Sequence, residues 1–206
     1  MTLYMFYSFF LASVALTVAP GPDNIFVLSQ GILRGRRAAI ITALGMCSGI
    51  TVHTTAAALG ISAIFYSSAA LFNLVKYAGA LYLLYLAYKT FRSSSSFSLA
   101  TSSELGSSAL FRRGLVMNLL NPKVALFFLA FLPQFVTPAA GNVPFQMILL
   151  GVLFMIQASV IFSLIGWFSG SIGTVLQENP KLSRYFDLLT SGVFAALGLR
   201  LALTER

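Results

Sequence analysis

The chain is poor in what soluble enzymes use. It has one cysteine, one histidine, one tryptophan and five acidic residues among 206. A lone cysteine, Cys47, excludes an intramolecular disulfide and a dithiol relay. It lies in an apolar segment, where a small packing residue is expected. One histidine and five scattered acids give no metal-ligand cluster and no nucleophile beside a base, so catalytic, metal and cofactor sites are all expected to be absent and the chain is read as a non-enzyme. Charged residues make up only 9% of the chain against 58% apolar ones, and the mean hydropathy is +0.87. That balance excludes an ordinary soluble domain and points to a membrane protein crossing the bilayer several times. A basic n-region ahead of the first apolar run is missing, so no cleaved signal peptide is expected there.

What the chain does have is a set of six apolar segments, each near the ~20 residues a bilayer-spanning helix needs. They run over Leu3–Val18 with a continuation through Asn24–Leu33, then Ala38–Phe65, Leu71–Tyr88, Leu110–Val136, Val143–Phe168 and Tyr185–Leu203. The net charge of +8 is not a nucleic-acid footprint, because no basic face is interleaved with aromatics. Instead Arg34, Arg36 and Arg37 fall between segments one and two, Lys89, Arg92, Arg112 and Arg113 bracket the gap between three and four, and Lys181 and Arg184 lie between five and six. The opposite connections, Ser67–Ala70 and Thr137–Asn142, carry no Lys or Arg. The positive-inside rule then puts connections 1–2, 3–4 and 5–6 in the cytoplasm and the C-terminus outside. The first segment with its continuation is about 30 residues, too long for one straight crossing. Full spanning and a re-entrant, kinked entry are both open for it.

Proline interrupts two of these segments beside a charge: Pro20-Gly21-Pro22-Asp23 and Asn121-Pro122-Lys123. Pro22 and Pro122 are 100 positions apart, one break at a matching place in each half. A broken helix in lipid frees backbone groups that must be buried in protein or face a wet cavity. A matched pair of such breaks points to the binding site of a carrier. The expected architecture is all-α: six transmembrane helices as two inverted three-helix repeats, with helices one and four broken at proline. Residues 1–91 form the first repeat, the serine-rich cytoplasmic stretch 92–109 a flexible linker, and 110–206 the second repeat.

Candidate substrate contacts are therefore Pro20, Gly21, Pro22 and Asp23 at the first break, and Asn118, Asn121, Pro122, Lys123 and Gln134 around the second. Pro22 suits the first turn of a half-helix and Asn121 suits an N-cap, so each half could present a helix start to a carboxylate. Three roles are open for Asp23 and Lys123: holding the two charges of a zwitterion, pairing with each other, or, for Asp23, complementing its own helix dipole. Asp23 and His53 are the candidates for a proton or coupling site, since intramembrane ionisable groups are costly. A packing role for His53 is the competing reading. Gly45 and Gly49, and Gly166 and Gly170, form small-residue stripes suited to close helix packing.

Together these segments resemble the lysine exporter / homoserine-threonine resistance (LysE/RhtB) family. The resemblance rests on PGPDNIFVLSQGILRGRRAAIITALGMCSGITVH (Pro20 to His53), LVKYAGALYLLYLAYKTFR (Leu74 to Arg92), RRGLVMNLLNPKVALFFLAFLPQFV (Arg112 to Val136) and the closing GVFAALGLRLAL. It implies a bacterial inner-membrane carrier that exports an amino acid or related metabolite, driven by the proton motive force. The third segment is most similar to the leucine-exporting branch, and a neutral cargo such as leucine, threonine or homoserine is implied. Two positions depart from the family pattern: Thr51 stands where an acid is frequent, and Ala39 where glycine is common. The pattern also accepts Asn in place of Asp23. The expected partners are a small amino acid and the lipid bilayer, with no nucleic acid and a homo-oligomer left open. A channel or a cation or heavy-metal exporter is the alternative of a different class.

Overall fold

A computed structural model describes residues 3–61, 69–92 and 105–203. Among the described residues the chain forms nine α-helices: α1 Leu3–Val18, α2 Pro22–Arg34, α3 Arg36–Ala56, α4 Ala69–Arg92, α5 Ser107–Leu119, α6 Pro122–Leu126, α7 Val143–Trp167, α8 Ser169–Glu178 and α9 Pro180–Leu203. A π-helical turn, Ala57–Ile61, extends α3, and a second, Phe127–Phe131, extends α6 before a 3-10 turn at Leu132–Phe135. Most of the serine-rich stretch expected as a linker (93–104), the Ser67–Ser68 part of one connection and the expected end of segment two at Phe65 lie outside the described residues.

The helices start where sequence chemistry says they should. Pro22 occupies the first turn of α2 after an extended Gly21. Asn121 caps α6, its Oδ1 accepting the Lys123 backbone N–H at 2.9 Å. Asn142 caps α7 from a left-handed conformation (φ 36°), accepting from the Phe145 N–H at 3.2 Å. Gly35, at φ 83°, supplies the positive-φ residue that turns α2 into α3. One element differs from expectation. Ser169–Glu178 reads as a polar connection yet forms helix α8, whose first residue, Ser169, packs on Gly31 of α2.

Among the described residues, three helices are long and apolar enough to cross a membrane: Arg36–Gly60, Val143–Trp167 and Arg184–Leu203. Two bent pairs raise the number to five. α1 and α2 meet at 53°, and α5 meets Pro122–Phe135 at 49°, so both kinks fall at the proline breaks. They have the cause that sharp kinks normally have.

The bundle is held by close backbone packing as well as by apolar side chains. α3 runs along α5 and α7, α4 along α9, and α2 is enclosed by α3, α7 and α8. A methyl group at Gly45 would land on the Phe111 carbonyl, and one at Gly114 on the Thr42 carbonyl, so α3 and α5 touch main chain to main chain. Gly49 makes room for the Asn118 side chain, and Gly166 for Ala39. A methyl group at Gly170 would meet nothing within 4 Å, so this glycine takes no part in such packing. Ala39, fully buried, puts its methyl between Gly31 and Gly166, and that pair of glycines accommodates it. Deep in the bundle, Phe9, Phe127, Phe128, Phe131, Phe135 and Phe154 form one aromatic cluster with ring centroids 5.0–6.0 Å apart.

Candidate functional site

Arg34, Arg36 and Arg37, Lys89 and Arg92, and Arg184 lie at helix ends on one side of the bundle, its basic end, whereas Lys76 and Arg200, the latter over the Phe135 ring at 5.1 Å, lie away from it. Arg36 lies over the Trp167 ring at 5.0 Å, joining the start of α3 to the end of α7, and Arg184 donates to the Phe91 carbonyl at 2.7 Å, joining α9 to the end of α4. From this end α2 and α5 each run 13 residues, about 20 Å, to their break. Both breaks therefore lie deep in the bundle, where Asp23, Asn121 and Lys123 are buried.

A break leaves helix-end carbonyls without partners. At the end of α1 the partners come from elsewhere in the chain. The Lys123 ammonium donates to the Leu16 and Ala19 carbonyls, both at 3.1 Å, and Asn24 Nδ2 donates to the Thr17 carbonyl at 2.9 Å. A cation at a helix C-terminus also complements the helix dipole. Gly21 keeps the approach open, since a methyl there would come within 3.1 Å of Lys123 Nζ. At the end of α5 the Asn118 carbonyl meets His53 Nε2 at 3.2 Å and the Asn121 N–H at 3.0 Å. A carbonyl only accepts, so Nε2 carries the proton in this contact. The His53 ring also lies 5.9 Å from Phe128.

Three cavities flank the breaks; one of about 490 Å³, between Pro22, Asn121 and Pro122 and the arginines Arg112 and Arg113, does not reach Lys123, and the other two do. Of these two, one is closed and tiny, about 10 Å³, lined by Thr17, Asp23, Asn118 and Lys123 with the apolar side chains of Leu16, Ile50, Val124, Phe154 and Phe162. That is about the space one water molecule takes. Asp23 is 2% exposed, Asn118 2% and Lys123 4%, so a carboxylate and an ammonium share a desolvated pocket and interact electrostatically. Asp23 also sits beside the Asn121 side chain. Among the described residues, Asp23 Oδ1 and Asn118 Oδ1 of the pocket wall have no hydrogen-bond partner, nor do Asn24 Oδ1 and Gln157 Oε1, whose amides are both bonded to Thr17. Two of these orientations are dictated by chemistry. The Asn24 amide must turn its nitrogen to the Thr17 carbonyl. Thr17 Oγ1 gives its hydrogen to the Ser13 carbonyl at 2.8 Å and can only accept from Gln157 Nε2, 2.9 Å away.

The other cavity at Lys123 is a vestibule of about 360 Å³, the size of a small-molecule site. Its walls are Pro20, Gly21, Pro22 and Ile25 of the first break, Asn121, Pro122 and Lys123 of the second, Tyr82, Leu86, Lys89 and Thr90 of α4, and Asp187 and Phe194 of α9. It extends from the breaks toward the basic end, where α4 finishes and α9 begins. Lys123 lines both the vestibule and the small cavity. On the far side of the small cavity, toward the other end of the bundle, stands the phenylalanine cluster, which Phe154 joins to the cavity wall.

The structure thus brings together eight of the nine residues expected to touch substrate. Gln134 lines none of these cavities and donates to the Ala130 carbonyl one turn back, at 3.3 Å. Thr51 is exposed, its hydroxyl on the Ser48 carbonyl at 2.6 Å, and lines none of them either. Sequence reasoning passed over Thr17, Asn24 and Asp187. Asn24 follows Asp23 directly, and Asp187 is a lone acid in an apolar stretch; both signals were readable. Thr17 gave none, because only the fold brings it to the break. Among the described residues no three His, Cys, Asp or Glu side chains are grouped to hold a metal ion.

An all-helical membrane bundle, bent at two buried proline breaks around a shared charged pocket, is the class defined by these features. A family model for LysE type translocators matches residues 14–205, and the chain belongs to that family. It is 31% identical to a leucine efflux protein of Enterobacter sp. over 96% of this chain and 94% of that protein. A homoserine/homoserine lactone efflux protein of Salmonella typhimurium is 28% identical over 98% of both chains. An uncharacterized membrane protein of Vibrio cholerae is 29% identical, again over 98% of both. No solved structure matches the chain.

Proposed function

We propose that the protein is a secondary carrier that exports a neutral, zwitterionic amino acid across the bacterial inner membrane, coupled to the proton motive force. The observation that carries this reading is the position of Lys123. Its ammonium stands at the meeting point of two broken helices, with a vestibule of amino-acid size on one side and a closed, water-sized pocket on the other. Family membership supports transport, and the names of the leucine and homoserine relatives support an amino-acid cargo.

Six crossings complete the proposed architecture. To the five spans above is added α4, whose 24 residues rise about 36 Å, enough to cross. The halves 1–91 and 110–206, joined by the 92–109 linker, are then inverted repeats. The pairing of α3 with α7 and of α4 with α9 favours this, because each pair occupies equivalent places in the two halves, as contacts across a pseudo-two-fold axis do. With the basic end in the cytoplasm, the vestibule faces inward and the phenylalanine cluster closes the path outward. Lys123 keeps two of its three N–H groups on α1 carbonyls and offers the third to a substrate carboxylate. Asp23, beside it in the closed pocket, is the coupling group, and His53 is a capping donor for α5. Gly45, Gly49 and Gly166 are packing residues in this scheme.

The energetics suffice. One proton entering down ~150 mV supplies about 3.5 kcal/mol, against ~1.4 kcal/mol for each tenfold gradient of a neutral solute.

Inverted membrane vesicles, energised, should accumulate labelled leucine, threonine or homoserine. Accumulation of a divalent metal with no amino acid from a broad panel refutes the proposal and favours the metal-exporter alternative. Orientation is checked separately by placing cysteines at Ser95 and Asn142 in a Cys47→Ser background: an impermeant reagent should reach position 142, and not 95, from outside intact cells.

A further inference from the structure

The vestibule holds an acid that the proline breaks do not explain. Asp187 is 5% exposed, in the third turn of a membrane helix, and forms part of the vestibule wall. Burying a carboxylate there is costly, and an intramembrane acid on a cavity wall marks a functional position. Asp23 opens only on a pocket of about 10 Å³, which an amino acid cannot enter. The acid that shares an amino-acid-sized space with Lys123 is Asp187.

The distances along α9 suit a zwitterion. The Lys123 ammonium lies 5.9 Å from the Phe194 ring centre, and Phe194 is seven residues, about 10 Å of helix rise, beyond Asp187. Side chains on a helix lean toward its N-terminus, which brings the Phe194 ring, and Lys123 with it, back toward Asp187. Two charged groups of one small molecule, each making a charge-assisted hydrogen bond of ~2.8 Å, can bridge what remains. Asp187 already interacts within the fold. A carboxylate offers about four acceptor sites, so that interaction does not exhaust it. Ile25, Tyr82 and Leu86 line the same cavity and offer apolar surface to an aliphatic side chain.

We propose that Asp187 binds the substrate's α-ammonium in the vestibule while Lys123 takes its carboxylate, making Asp187 the residue that selects an amino acid over the corresponding acid without an amine. This rests on the carrier reading above. Protein reconstituted in liposomes tests it through counterflow of labelled leucine, competed by leucine or by 2-hydroxyisocaproate, which carries a hydroxyl where leucine carries the ammonium. Wild type should favour leucine strongly. Asp187→Asn should weaken leucine about 100-fold, the scale for truncating one partner of a buried charge pair, and leave the hydroxy acid within about threefold. Asp187→Glu should restore part of the selectivity. Unchanged selectivity in Asp187→Asn, or equal weakening of both ligands, overturns the inference and leaves the carrier reading standing. Failure of wild type to exchange any amino acid overturns the carrier reading itself. Should Asp187→Asn not fold, Leu86→Cys in a Cys47→Ser background gives a second measurement: leucine should slow its alkylation and the hydroxy acid should not. Equal protection by both, or by neither, overturns the ammonium-binding role.

Discussion

Replacing Lys123 by methionine keeps the volume and the apolar stem and removes the charge. Two hydrogen bonds are lost, to the Leu16 and Ala19 carbonyls, each worth about 1.5–3 kcal/mol when one partner is charged. Asp23 is also stranded in the closed pocket without its counter-charge. Breaking a buried pair from one side costs about 3–5 kcal/mol in total, the lost hydrogen bonds included. A chain of this size loses about 2–4 °C of melting temperature per kcal/mol, so the variant should melt on the order of 10 °C lower in detergent. Asp23→Asn should cost less, about 1–2 kcal/mol, because Lys123 keeps both carbonyls. The double variant Asp23→Asn/Lys123→Met removes both charges together. It should melt above Lys123→Met, with a coupling of about 2 kcal/mol across the cycle. The assay is thermal unfolding of the four proteins in one detergent. Additivity of the two single changes to within about 0.5 kcal/mol refutes the idea that these charges share one desolvated pocket.

Three further outcomes follow from the packing and the cavities. Gly45→Leu should prevent recovery of monodisperse protein, since its side chain falls on the Phe111 main chain, whereas Gly170→Leu should purify normally; comparable chromatographic profiles for the two contradict the α3–α5 contact. His53→Gln retains an N–H for the Asn118 carbonyl and should transport within about tenfold of wild type, the scale of one ordinary hydrogen bond; complete loss of coupled uptake in a folded His53→Gln protein makes His53 a proton carrier instead. In a Cys47→Ser background, Ile25→Cys should react with a small thiol reagent through the vestibule and Thr17→Cys, in the closed pocket, should not; equal rates contradict the closure.

The breaks, five of the six expected spans and the basic clusters were legible because each has a local cause. Proline removes a donor, glycine starts or ends a turn, and a run of apolar residues measures a membrane. The positions of Pro22 and Pro122 therefore located both kinks. Helix α8 was not legible, since SGSIGTVLQE is polar and small enough to read as a connection, and its contacts with α2 supply what its composition does not. Nor was the engagement of Lys123. Its charge and depth were visible, but its hydrogen-bond acceptors, Leu16 and Ala19, are main-chain groups more than 100 residues away, and any residue type supplies the same carbonyl. Gln134 illustrates the opposite error. A polar residue near a break in sequence can turn back onto its own helix, as its bond to Ala130 does.

The bond from Lys123 to the end of α1 has a consequence for biosynthesis. The carbonyls of Leu16 and Ala19 leave the ribosome about 100 residues before the group that satisfies them. Until Lys123 arrives, the first broken helix sits in the membrane with its end open, and water or the translocation machinery must stand in for the missing ammonium. The amino-terminal half thus reaches its final form only after the carboxy-terminal half has entered the bilayer. Maturation of this protein is a closing of the first half by the second, and expressing both halves as separate chains should recover what neither achieves alone.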